Sequence, residues 1–215
     1  MCRLLLVSSK KEFDINSYIK KFSVICKNSP EYQGHGWGCA YLDENNEWIY
    51  YKNIKPVWED DLSQFSNTSL LIAHARSAFE DKDIVVENNM PFYDEDNVFI
   101  FNGELRGVKI REQGRIGAEK IFNYIKRFGY DDKGLLKFEK AIELIKKKTK
   151  QIKALNIIMI NKKKGFYINN YFTERPEYFT IHTKIRDDMF LVCSMPFENE
   201  KGWSKLENNT NRIYL

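Results

Sequence analysis

Cys2-Arg3-Leu4-Leu5-Leu6-Val7-Ser8 opens the chain behind Met1. The apolar run from Leu4 to Val7 is short and bounded by polar residues, which predicts a buried strand beginning at the N-terminus itself. It is too short for the core of a signal peptide, and no cleavage site follows it. The stretch also puts a cysteine at position two. Initiator methionine is trimmed when the next side chain is small, and Cys is small. Trimming would leave a thiol and a free α-amine on one residue. Such an amine titrates at about 7.7–8.0 and can act as a base near neutral pH. The thiol is a strong nucleophile once deprotonated, and a nucleophile activated by its own amine is a working catalytic arrangement. The competing reading is a buried, inert core cysteine that follows Met1 by chance.

Outward from this strand, Ile15, Tyr18, Ile19, Phe22 and Ile25 recur at three- and four-residue spacing and predict an amphipathic helix over 15–27. Gly34-His35-Gly36-Trp37-Gly38 is a glycine-rich loop leading into strands over 38–43 and 47–53, joined by a turn at Glu44-Asn45-Asn46. Leu70 to Ala75 predicts a buried strand that ends at Arg76. A polar loop then runs through Asn88 and Asn89, and Asn97 to Phe101 reads as a strand stopped by Asn102-Gly103. Helical spacing returns over 117–128 and 134–149. Strands are expected over 155–160 and 165–168 around a Lys162–Gly165 hairpin tip, then over 178–185 and 189–194, with a last one over 212–215. No repeat, low-complexity linker or domain boundary stands out, so residues 2–215 read as a single α+β layered domain.

The composition agrees with a folded chain. Of 215 residues, 43% are hydrophobic and 30% charged, enough to bury a substantial core. No apolar run reaches the length of a membrane span, so no membrane partner is expected. The 34 basic and 30 acidic residues leave a net charge of +4, a mild excess that does not indicate a nucleic-acid partner. The four cysteines form no C-x-x-C pair, and His35, His74 and His182 lack metal-ligand spacing, so neither metal nor cofactor is expected. Lys146–Lys148 and Lys162–Lys164 read as a helix end and a hairpin tip in solvent. The cytoplasm is the expected compartment.

Cys2-Arg3-Leu4-Leu5, Gly36-Trp37-Gly38, His74-Ala75-Arg76, Asn88-Asn89-Met90-Pro91-Phe92 and Phe101-Asn102-Gly103 occur in that order. The series resembles the glutaminase domain of class II glutamine amidotransferases, which are N-terminal-nucleophile hydrolases, and is most similar to their stand-alone members. The resemblance runs from residue 2 to about 125. It implies a four-layer αββα sandwich of two antiparallel sheets flanked by helices. It also implies Cys2 as the nucleophile, with the Asn102 side chain and the Gly103 N–H as oxyanion donors. Arg76 would hold a substrate carboxylate through paired hydrogen bonds. Trp37, Gly38 and Ala75 would line the substrate, Trp37 from the loop over the nucleophile.

Four positions depart from the family pattern. His35 stands where an Asp is common, Met90 replaces the His of His-Pro-Phe, and Phe79 replaces a small polar residue. Gly117 replaces the Asp that binds the ammonium of glutamine, although Glu119 is kept. An ammonium left unpaired in a closed site is costly, so the change favours a substrate whose amine is acylated or methylated. The resemblance implies an amidohydrolase acting on glutamine or a γ-glutamyl-type amide through a Cys2 thioester. With no second domain to use the ammonia, either plain hydrolysis or delivery to a separate synthetase is expected. The alternative is a non-catalytic member of the fold acting as a binding or regulatory subunit.

Overall fold

In the computed structural model, which describes Met1–Leu215, the N-terminal strand is longer than its apolar run. In chain order the elements are β1 (Arg3–Asp14), α1 (Ile15–Lys27), β2 (Trp37–Leu42), β3 (Trp48–Asn53), β4 (Asn67–Ala75), β5 (Phe92–Tyr93), β6 (Asn97–Val108), α2 (Gly117–Lys126), α3 (Phe138–Lys147), β7 (Thr149–Asn161), β8 (Gly165–Asn170), α4 (Pro176–Phe179), β9 (His182–Arg186), β10 (Met189–Cys193), β11 (Ser204–Lys205) and β12 (Thr210–Tyr214). They form two compact units, Met1–Pro91 with Thr180–Leu206, and Phe92–Phe179 with Glu207–Leu215.

The first unit holds a seven-stranded sheet in the order β11-β9-β10-β1-β4-β2-β3, with every pairing antiparallel. β1 is central, and Leu4 to Val7 are fully buried on both faces. Helix α1 begins where the sequence pattern places it because Asp14 caps it. The Asp14 carboxylate accepts the backbone N–H of Asn16 and of Ser17, each at 3.0 Å. Its apolar stripe, Ile15, Ile19, Phe22, Ile25 and Cys26, joins Leu5, Val7, Trp37, Leu71 and Ala73 in one core cluster.

The second unit holds a five-stranded antiparallel sheet in the order β12-β8-β7-β6-β5. Helices α2 and α3 bury Ile121, Phe122 and Ile125, and Phe138, Ile142 and Ile145. Phe122 stacks on Phe99 of β6, and Phe138 tilts against Tyr167 of β8. The Tyr167 hydroxyl accepts the Leu136 N–H at 2.9 Å, which ties the approach to α3 to the sheet.

Two expected boundaries are corrected. The Asn102-Gly103 pair does not stop a strand. It lies inside β6, opposite Asn156 and Leu155 of β7. The segment expected as a strand from Tyr178 to Ile185 instead contains α4, which opens on Pro176, a residue suited to a first helical position. Only His182 onward is strand. No helix is long and apolar enough to cross a membrane.

Candidate active site

Cys2 sits immediately before β1, so the pairing of Arg3 with Ala75 brings the end of β4 alongside it. The chain beyond β4 turns back over the sulfur. The Ser77 N–H donates to Cys2 Sγ at 3.5 Å, and Sγ lies 3.6 Å from the Ser77 carbonyl oxygen. Cys2 is half-buried, whereas Cys26, Cys39 and Cys193 are buried. Burial raises the thiols of all three, Cys193 to about 11. Cys2 is therefore the one cysteine not sealed in the core. The carbonyl of Met1 accepts Gln33 Nε2 at 2.6 Å, and Gln33 is fully buried.

Arg76 lies one residue before Ser77 and is only 5% exposed. Its guanidinium donates to the Asp83 carbonyl at 2.9 Å, with longer contacts to the carbonyls of Lys82 and Val85 and to Asn89 Oδ1 at 3.4–3.5 Å. No carboxylate pairs with it. Burial pulls its pKa below the usual arginine value, and Cys2 and Asp83 pull it back. A buried cation without an anionic partner is a strong attractor for one. The segment that Arg76 gathers includes Glu80, Asp81 and Asp83, all at positive φ near 50°. Such backbone is tolerated in non-glycine residues only when surrounding bonds hold it.

His35 supplies one of those bonds. Its Nδ1 accepts the Ala78 N–H at 2.8 Å, while Nε2 lies 3.5 Å from Asp81. Burial lowers its pKa despite Asp81, consistent with a neutral ring whose Nδ1 lone pair is in use. The His35 and Arg76 backbones are also joined, by His35 N–H to Arg76 O and Arg76 N–H to Gly36 O.

Trp37 differs from its expected setting. It is the first residue of β2, and its indole is fully buried against Tyr51 and Phe65. Its Nε1–H donates to Asp60 at 2.8 Å, and Tyr51 and Asn53 donate to the same carboxylate. The side chain is a core group, and the residue pairs on both strand edges, with Asn53 and with Ala75. Trp37 and Gly38 pair with Ala75 and His74. A Cβ on Gly38 would meet the carbonyl oxygens of Met90 at 2.6 Å and Tyr51 at 2.8 Å.

Asn102 and Gly103 belong to the second unit. Asn102 is buried, and a Cβ on Gly103 would collide with the Ala154 carbonyl oxygen of β7. β5 ends opposite Val98 and Phe99, so no strand of this sheet continues along that edge of β6 beside Asn102 and Gly103. Gly117 opens α2 with nothing within 4 Å of a would-be Cβ. Glu119 is engaged by Arg115, whose backbone N–H and guanidinium donate to it at 2.5–3.1 Å. No cluster of three or more His, Cys, Asp or Glu is placed to hold a metal ion.

Sequence reasoning did not single out Ser77, Gln33 or Asp60. Ser77 acts through its backbone, which no side-chain motif reports. Gln33 and Asp60 earn their places through contacts 32 and 23 residues away. His35 was noted only as a departure from the family pattern, yet it organises the chain next to Cys2.

No protein-family model matches the sequence, and neither does any curated protein. Solved structures do match. The chain is similar to glutamine phosphoribosylpyrophosphate amidotransferase from B. subtilis, solved with ADP and GMP, at TM-score 0.62 and 16% identity, covering 90% of this chain and 42% of that one. It is similar along 99% of both chains to a glutamine aminotransferase class-II domain protein from Silicibacter pomeroyi, at TM-score 0.65 and 14% identity. A predicted glutamine amidotransferase from Pseudomonas aeruginosa matches at TM-score 0.60 and 15% identity, over 99% of this chain and 97% of that one. These identities establish a shared fold. The chain thus has the α+β fold, with two antiparallel sheets, of the class II glutamine amidotransferase domains.

Proposed function

We propose that this chain is an amidohydrolase of the N-terminal-nucleophile type, cleaving the side-chain amide of glutamine or of a γ-glutamyl-type compound. The observation that carries the reading is a half-buried thiol held by the backbone N–H of Ser77, one residue beyond a buried Arg76 guanidinium that lacks a carboxylate. A substrate bearing both a carboxylate and a side-chain amide satisfies both groups.

The steps follow from these residues. Removal of Met1 frees the Cys2 α-amine, which takes the thiol proton. The thiolate attacks the amide carbon, while the substrate carboxylate sits on Arg76. The oxyanion donors proposed from the motif resemblance are the Asn102 side chain and the Gly103 N–H. The tetrahedral centre collapses by breaking the C–N bond, the ammonium returns its proton to the leaving nitrogen, and ammonia or an amine departs. Water, deprotonated by the same amine, then attacks the thioester. A carboxylic acid leaves and the thiol is restored. Ammonia delivered to a separate synthetase is the proposed variant for a chain working with a partner.

Hydrolysis of a panel of γ-glutamyl amides, read as ammonia or amine released, tests this. The Cys2→Ala variant is expected to lose a factor on the order of 10³ or more in kcat while keeping its melting temperature. Equal turnover by the variant would contradict the proposal.

A further inference from the structure

The second unit contains a cavity that the proposed amide chemistry does not use. It has a volume of about 420 Å³ and is lined by Lys109, Arg111, Tyr124, Arg127, Phe128 and Lys148. That size falls within the range of small-molecule sites. The topology explains the lining. Lys109 and Arg111 follow the end of β6, Tyr124, Arg127 and Phe128 come from the last turn of α2 and just beyond it, and Lys148 caps α3. The Lys109 N–H donates to the Lys148 carbonyl at 2.8 Å, which holds two of the walls together.

Four cations converge here, and three of them have no acidic partner. Only Arg127 is paired, with Glu112 at 3.1 Å. Helix ends account for part of the charge, since each C-terminus carries about half a negative charge. Together with Glu112 they offset about two of the four cations. The remaining excess of about two positive charges is held in one concave surface, where like charges repel.

A second observation is independent of the charge. Tyr124 is only 8% exposed, lines the cavity and packs its ring edge-on against Phe128 at 5.2 Å. Its hydroxyl makes no hydrogen bond within the protein. The ring is buried while the hydroxyl is not among the sealed polar atoms, so it is a donor open to a ligand in a cationic cavity. The geometry points to a binding site for a small phosphorylated anion. Its phosphate oxygens would take hydrogen bonds from Lys109, Arg111, Lys148 and the Tyr124 hydroxyl, and any apolar portion would lie on the Phe128 and Tyr124 rings.

Inorganic pyrophosphate is the probe, titrated by calorimetry into the full chain at low salt. The expected result is saturable binding at one site. The double variant Lys109→Gln, Arg111→Gln is expected to weaken it by about tenfold or more, and Tyr124→Phe by about threefold. Glu112→Gln releases Arg127 and removes the opposing charge, so it should tighten binding. The exposed-surface control Lys55→Gln should leave binding unchanged. All of these side chains except Tyr124 are at or near the surface, and the Tyr124→Phe change keeps the ring, so folding is preserved and is checked by melting temperature. The proposal is overturned by non-saturable binding, by an equal loss in the Lys55→Gln control, or by a short RNA binding the same surface without competition from pyrophosphate.

Discussion

At Cys2 the sulfur accepts the Ser77 N–H, one residue beyond the buried Arg76. The sequence motifs made Cys2 and Arg76 legible, because residue type alone limits what a thiol or a guanidinium can do. They did not reveal that Arg76 gathers three backbone carbonyls of the segment after it, since carbonyl partners leave no trace in residue identity. In the proposed function, Gly117 is the residue on which substrate choice turns. Its would-be Cβ meets nothing within 4 Å, so a side chain can be added at 117 without a clash at its first atom. Gly117→Asp is the variant that tests this. A carboxylate in the first turn of α2 also favours the helix by about 0.3–1 kcal/mol. The expected outcome is a stable variant whose kcat/KM shifts toward free glutamine and away from N-acylated γ-glutamyl amides, measured by parallel assays. A ratio that does not move would remove Gly117 from the account of specificity.

Among the elements, α1 was legible from end to end, because its periodicity and the Asp14 cap both lie in local sequence. β1 was expected to stop at Ser8 and continues to Asp14. A bulge follows Ser8, and the polar residues beyond it are largely exposed, so they lose the apolar signal while still pairing with their neighbours. β6 was also cut short in the sequence reading, since Asn-Gly is a common turn pair. Here Gly103 serves a close approach of strands. Gly103→Ala is expected to destabilise the chain by about 1–3 kcal/mol through overpacking against the Ala154 carbonyl, seen as a lower denaturant midpoint. A second element-scale expectation concerns the segment after β4. His35 titrates below its unfolded value, so the folded segment binds a proton less readily than the unfolded chain. The contribution of His35 is therefore present above about pH 6.5 and is lost as pH falls through the lowered value, when Nδ1 is protonated and can no longer accept the Ala78 N–H. Protection of the Ala78 N–H, measured against its intrinsic exchange rate at each pH, should fall on acidification, and His35→Ala should remove that dependence.

For the molecule as a whole, the sequence carried the class of fold further than its details. Alternating strands and three clear helices identified an α+β chain, and solved structures at 14–16% identity share that fold. The division into two compact units was not legible. The second unit is completed by Glu207–Leu215, and the first by Thr180–Leu206, so each recruits its C-terminal strands from far along the chain without a linker to mark the change. Burial then sorts the thiols. Three are sealed in the core and one is half-exposed, a distinction that supports Cys2 as the proposed nucleophile. The most direct measurement is an intact mass before and after treatment with a diazo-ketone analogue of glutamine, followed by peptide mapping. The account predicts a chain that has lost Met1 and gains a single adduct, located on Cys2. A chain that retains Met1 and acquires no adduct would contradict it, because the proposed base would be blocked and the nucleophile silent.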